Sequence, residues 1–285
     1  MTNLEQIVVA TDFSPASASA LHVAGRIARL FNIKVTVVHV FQYPVHHRYP
    51  IRVGWMVEMI RKEVREKLNQ ARCVLEEMNV QPEGLMIGDG FASAEILNLL
   101  QKYENPLLVM GTHAVAGIDR FLLGSTAEEI LRQAKCPVIT VGPHVPREEK
   151  ADPAFHRILY PTDGSIASMT AISLIQLLRR ASPASLRVLH VLDPAIESAV
   201  GDDVFEVVRS SLKHHEIASE DTCDEYVTLH GKDVGQAVVN EAERFSADLL
   251  ILGVRRASAW ASHLVPKVTY QIIAASPCPV MTVSS

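Results

Sequence analysis

Cysteine is scarce in this chain, and none of it is paired by spacing. Four cysteines stand among 285 residues, at Cys73, Cys136, Cys223 and Cys278, and no two form a CxxC. That argues against a disulfide framework and against a cysteine zinc site. Long apolar runs are missing too: nothing approaches the roughly 20 residues that a membrane helix needs. The opening "MTNLEQIVVATD" has no basic segment before an apolar core, so it reads as a first strand rather than a signal peptide. The expectation is a cytoplasmic protein with no membrane partner. Basic charge is not in excess. Residues 1–150 carry 16 Lys+Arg and 16 Asp+Glu, and residues 151–285 carry 11 and 16, which places the whole net charge of −5 in the second half. No basic patch points to nucleic acid.

Catalytic constellations are also lacking. No Ser-His-Asp set and no paired acid/base carboxylates follow from the spacing. The pairs His46-His47 and His214-His215 are adjacent, and adjacent residues do not face one way on a helix, so solvated histidines are expected rather than a metal site. The expectation is no enzyme, with slow turnover as the upper limit.

What the chain does have is an internal repeat, the first thing to seek in any sequence. "QIVVATDFSPASASAL" at residues 6–21 returns as "RILYPTDGSIASMTAI" at residues 157–172. "VTVVHV" returns as "LRVLHV", "PLLVMG" as "DLLILG", and "KCPVITV" as "PCPVMTV". Asp12 and Asp163, like His39 and His190, lie 151 positions apart, whereas Gly111 and Gly253, like Cys136 and Cys278, lie 142 apart. One net deletion of nine residues therefore separates the second strand from the Gly111 region of the second copy. The matching "CPV" positions of Cys136 and Cys278 point to packing at a strand start. "GPHVPREEKADPAFH", with no apolar period, is the linker, so the expected division is 1–143, a linker at 144–155, and 156–285.

Within each copy, strands and helices alternate. Short β-branched runs predict strands at Ile7–Ala10, Val35–Val40, Leu85–Ile87, Leu107–Met110 and Val138–Val141. Ser14-Pro15 reads as a helix cap followed by proline at the first helical position, with Ala20, Val23, Ala24, Ile27 and Phe31 at helical spacing behind it. Val64–Met78 and Ala92–Tyr103 predict further helices. Ser125-Thr126-Ala127-Glu128 has the form of a capping box. Near-continuous apolar strands alternating with helices predict an α/β fold: two doubly wound domains, each a five-stranded parallel sheet with helices on both faces. The last strands, "PVITV" and "PVMTV", carry no charged guard against edge pairing. The economical arrangement pairs them with each other, as an intramolecular pseudo-dimer. The segment Gln42–Met59, with Tyr43, Tyr49 and Trp55, is expected to be a loop leading into a helix and packed on the sheet, with a lid or partner surface as the alternative.

Three features converge where the strands end. Thr11-Asp12 closes the first strand, and the Asp12 carboxylate either meets ribose or base donors or caps the turn. Gly111 permits a close approach of ligand to backbone, and His113 follows it. Gly124-Ser125 opens a helix, whose free N–H groups and dipole favour an anion; the Ser125 hydroxyl capping its own helix is the other reading.

These residues resemble the universal stress protein family, and both copies resemble it over nearly all of the chain. The resemblance rests on the strand-one Asp, the "HV" that ends strand two, the strand-four glycine loop and the "CPV" final strand. It implies an adenine-nucleotide-binding α/β fold that commonly dimerises through its last strand, with the pattern G-x2-G-x9-G-[S/T] in nucleotide-binding members. Carried onto this chain, it implies that Thr11, Asp12, Val40, Met110, Gly111, His113, Gly124, Ser125 and Thr126 hold ATP or AMP, with magnesium. Asp12 and Val40 would meet ribose and adenine, and the glycines, His113, Ser125 and Thr126 the phosphates. Ala114 departs from the pattern at its second glycine, where a Cβ costs affinity if the backbone needs positive φ or touches phosphate. In the second copy Arg256, Pro266 and Lys267 replace the second glycine, the third glycine and the serine, so nucleotide is expected in the first copy. A nucleotide-dependent stress or signalling regulator is the leading expectation, and an interaction module of the same fold without nucleotide is the alternative. A further homodimer is compatible with either.

Overall fold

The computed structural model describes residues 3–41, 53–112, 123–146, 152–192, 199–213, 224–255 and 267–284. In the first copy β1 (Gln6–Ala10), β2 (Lys34–Phe41), β3 (Pro82–Asp89), β4 (Pro106–Gly111) and β5 (Val138–Val141) alternate with α1 (Pro15–Phe31), α2 (Val53–Glu77), α3 (Ala92–Leu100) and α4 (Ser125–Gln133). The second copy runs β6 (Arg157–Pro161), α5 (Ile166–Met169), α6 (Ile172–Ala181), β7 (Ser185–Leu192), α7 (Ala199–Lys213), β8 (Asp224–His230), α8 (Val234–Phe245), β9 (Leu249–Val254), α9 (Lys267–Ala275) and β10 (Val280–Ser284).

The strands form one sheet in the order β3-β2-β1-β4-β5-β10-β9-β6-β7-β8. Within each copy every pairing is parallel. Strand order reverses between β1 and β4, and again between β6 and β9, the points where open α/β sheets form crevices beyond their carboxyl ends. The strands carry apolar residues toward both faces, as a doubly covered sheet requires. Ile7, Val9 and Val35 pack with Ile27 of α1 and Leu68 and Leu75 of α2. Val8, Val38 and Leu108 pack on the other face with Ile96 of α3 and Ile130 of α4.

β5 and β10 pair antiparallel, Ile139 opposite Met281. Thr140 Oγ1 donates to Val280 O at 3.2 Å, and its repeat equivalent Thr282 Oγ1 donates to Val138 O at 3.2 Å. The bonds are reciprocal, as a twofold-related pair of strands would give. The apolar final strands are thus not bare edges. Cys136 and Cys278 are buried at the starts of these strands; burial pushes the Cys136 thiol up to about 11, which fits packing rather than reactivity.

Ser14 caps α1 through a bond to Ser17 N–H, with Pro15 in the first turn, as the sequence indicates. Other boundaries move. β3 extends to Pro82–Asp89, and α3 stops at Leu100. α2 begins at Val53 rather than Val64. The expected loop over Gln42–Met59 is therefore helical from Val53 onward, and residues 42–52 lie outside the described residues. Trp55 and Met59 on this first stretch of α2 are exposed rather than packed on the sheet. Among the described residues, no helix is long and apolar enough to cross a membrane.

Candidate functional site

The turn leaving β1 is built by hydrogen bonds among its own residues. Thr11 Oγ1 accepts from Phe13 N–H at 3.0 Å and donates to Ser17 Oγ at 3.1 Å. Asp12 Oδ1 accepts from Ser14 N–H at 3.0 Å, the turn-capping role open to an aspartate here. His39 Nδ1 lies 2.7 Å from Thr11 O. A carbonyl only accepts, so Nδ1 carries a proton and donates it to Thr11 O.

The second copy repeats this construction. Thr162 Oγ1 donates to Ser168 Oγ, and Gly164 N–H donates to Thr162 Oγ1. Asp163 Oδ1 accepts from Ser165 N–H at 3.0 Å, and His190 Nδ1 stands 2.7 Å from Thr162 O. Burial pushes the Asp163 carboxyl up, but the donors of Ser165 and Ser168 outweigh it and hold the group below its usual range. The repeated Thr, Asp and His therefore have a structural task common to both copies.

Gly111 has one as well. A Cβ there would collide with Ser17 N and Ala16 C, where the first turn of α1 crosses the end of β4. At Gly253 a Cβ would collide with Ser168 O and Ala167 O in the same way. The close approach that this glycine permits is that of a helix backbone.

Gly124 differs. Its φ of −61° is open to any residue, and a Cβ would meet nothing among the described residues within 4 Å. Gly124, not Ser125, is the N-cap of α4, and no side chain caps the helix. The capping box expected at Ser125–Glu128 is therefore not formed: Ser125 already has helical backbone and stands one position too late to cap. The N–H groups of Ser125, Thr126 and Ala127 lie in the first turn, which the helix's own ladder leaves without partners.

Thr11, Asp12, Val40, Met110, Gly111, Gly124, Ser125 and Thr126 all line one cavity of about 220 Å³ at the β1/β4 reversal. His113, Ala114 and Gly117 lie outside the described residues, as does the second-copy loop at 256–266. The cavity also takes in His39, Ser17, Ala92, Ile96, Thr112 and Ala127, which the sequence reading did not select. His39 was visible in it as one of the two histidines set 151 apart. Val40, Ile96, Met110 and Ala127 give one apolar wall, Asp12 is an exposed carboxylate at the rim, and the α4 mouth brings N–H donors. A planar apolar group and an anion on one ligand match these walls. Among the described residues no cluster of His, Cys, Asp or Glu is arranged to hold a metal.

The family model described as the universal stress protein family matches residues 3–142 and again residues 154–284. A universal stress protein of Methanocaldococcus jannaschii is 32% identical over 139 residues, 48% of this chain and 81% of the relative. A solved universal stress protein from Archaeoglobus fulgidus superposes with a TM-score of 0.76 at 18% identity, covering 98% of this chain and 96% of the other, a likeness of fold. A universal stress protein solved in complex with cAMP covers 46% of this chain, at 22% identity and a TM-score of 0.39.

Proposed function

The chain belongs to the universal stress protein family, and from that premise we propose that its first copy binds an adenine nucleotide, ATP or AMP, in the β1/β4 crevice and acts as a nucleotide-dependent regulator. The supporting observation is the mouth of α4. Gly124 stands where neither its backbone angle nor packing among the described residues requires glycine, beside a helix start that no described side chain caps. A glycine with no structural reason to be glycine, next to unused N–H donors, fits close contact with an anion.

In this reading adenine rests against Val40, Ile96 and Met110, and the ribose hydroxyls donate to Asp12. The phosphates lie against the N–H groups of Ser125 and Thr126, and the family resemblance assigns His113 to them as well. Magnesium would accompany the triphosphate and partly neutralise its charge. These residues are assigned to binding and orientation, and turnover faster than slow ATP hydrolysis is not part of the reading. The second copy (156–285), joined through the linker at 144–155, serves as the pseudo-dimer partner of the first (1–143), with β5 and β10 as the seam. Pro266 at the position of Gly124 removes an N–H, and Lys267 stands where Ser125 does.

An interaction module without nucleotide is favoured by one observation: Thr11, Asp12, His39 and Gly111 each have a packing or turn-building role that the second copy repeats. Thermal shift with ATP and AMP separates the two readings. A rise in Tm that grows with nucleotide concentration supports binding, and no rise at millimolar nucleotide supports the module.

A further inference from the structure

Behind the β1 turn, on the opposite face of the sheet, lies a second cavity of about 230 Å³. It opens between α1 and α2, and its walls include Thr11, Phe13, Ser17, Ala18, Lys67 and Gln70. The bond from Thr11 Oγ1 to Ser17 Oγ, 3.1 Å, belongs to the walls of both this cavity and the one at the β1/β4 crevice. Phe13 stacks on His39 at 4.5 Å between centroids, and Lys67 Nζ stands 5.5 Å from the Phe13 ring.

The second copy shows what such a space accepts. Across the 151-residue offset, Val9 corresponds to Tyr160 and Ala18 to Met169. Tyr160 is fully buried in the core shared with α6, and its hydroxyl donates to Ser168 O at 2.9 Å and lies 4.0 Å from the Met169 sulfur. Ser168 is the counterpart of Ser17, a wall of the first-copy cavity. A phenol ring and a thioether thus pack in the second copy against the turn beside which the first copy, with valine and alanine, leaves a cavity.

The polar wall sets the chemistry of an occupant. Ser17 Oγ spends its hydrogen on Ser14 O at 3.0 Å, and Thr11 Oγ1 spends its hydrogen on Ser17 Oγ. Ser14 Oγ also donates to Ser17 Oγ at 3.4 Å, so what the wall has left to offer is an acceptor position on Thr11 Oγ1, which suits a ligand that brings an O–H. The rest of the lining, Leu21, Val37, Ala71 and Val74 among it, is apolar.

We infer that this cavity of the first copy is a binding site for a small phenolic molecule, whose ring packs against α1 and α2 and whose hydroxyl bonds at the Thr11–Ser17 wall. The inference does not rest on nucleotide binding in the neighbouring crevice. Through the shared Thr11–Ser17 wall, an occupant of one cavity touches a wall of the other.

The probe is p-cresol, the side chain of tyrosine as a free molecule, titrated into the full chain and followed by NMR. The expected result is saturable binding with contacts from ring protons to the methyls of Leu21, Val37 and Val74, in the presence or absence of ATP. Ala18→Met, which installs the second copy's residue, is expected to weaken binding by about tenfold or more by filling the space. No saturable binding to the unaltered chain overturns the inference, as do ring contacts elsewhere or equal affinity in a folded Ala18→Met. Should Ala18→Met not fold, the contacts made with the unaltered chain still decide.

Discussion

Phe13 and Gly164 occupy the same position of the two copies and share one backbone conformation, φ 64° at Phe13 and φ 73° at Gly164. Glycine enters that region freely, whereas a phenylalanine is strained there. The first copy offsets the strain by stacking Phe13 on His39. At Gly164 a Cβ would stand 2.9 Å from Val204 Cγ2, so a side chain there would have to displace that valine.

Gly164→Ala should therefore destabilise by about 1–3 kcal/mol, from strain and contact together. Phe13→Gly relieves the backbone and loses the ring, for a net cost of about 1–2 kcal/mol. Urea denaturation of both variants checks the pair; a stabilised Gly164→Ala contradicts this account of the turn.

Gly111→Ala and Gly253→Ala should each cost about 4 kcal/mol or more, or prevent folding, because the obstacle is helix backbone that cannot step aside. Gly124→Ala should cost about 1 kcal/mol or less. Calorimetric melting ranks the three. The contrast is the basis for treating Gly124, and not Gly111, as the glycine with a ligand-related reason.

Tyr270 carries a buried hydroxyl with no hydrogen-bond partner among the described residues, and burial, with the nearby Glu128 charge adding to it, pushes its phenol up to about 12. Tyr270→Phe deletes an unsatisfied group and keeps the ring, so stability should hold or rise by about 1 kcal/mol. A loss of more than about 1 kcal/mol in denaturant melting would mean that the hydroxyl is bonded in solution.

Asp163 gives a prediction in pH. Its folded-state value lies below its ordinary 3.8, so its contribution to stability is present above that ordinary value and is lost as pH falls through the folded one. Asp163→Asn should flatten the stability profile below about pH 4 and leave its shape near neutrality unchanged. An acid limb of unaltered steepness would mean that the turn is not held by the ionised carboxylate.

Much of this architecture was legible in the sequence, because hydrophobic period and repeat speak directly to it. The α1 cap at Ser14-Pro15, the five-strand copies and the meeting of "PVITV" with "PVMTV" all follow from local chemistry and edge protection. The start of α2 did not: Trp55, Glu58 and Met59 are exposed, so they add no buried stripe to read. Eight of the nine residues grouped from the sequence line one cavity, but what each does there was not legible. Nothing in "TD" or "HV" says that the histidine donates to the threonine carbonyl, or that the glycine at the end of β4 faces helix backbone. Ser125 matched a capping pattern whose register only the entering backbone decides.

The central claim is that nucleotide binds at the α4 mouth of the first copy and not in the second. Isothermal titration of the full chain with ATP and with AMP tests it, beside a Gly124→Pro/Ser125→Lys variant that transplants the second copy's residues. The account predicts one site per chain, lost in the variant while its Tm without nucleotide stays within a few degrees. No heat at millimolar nucleotide, two sites per chain, or unchanged affinity in the folded variant would contradict it.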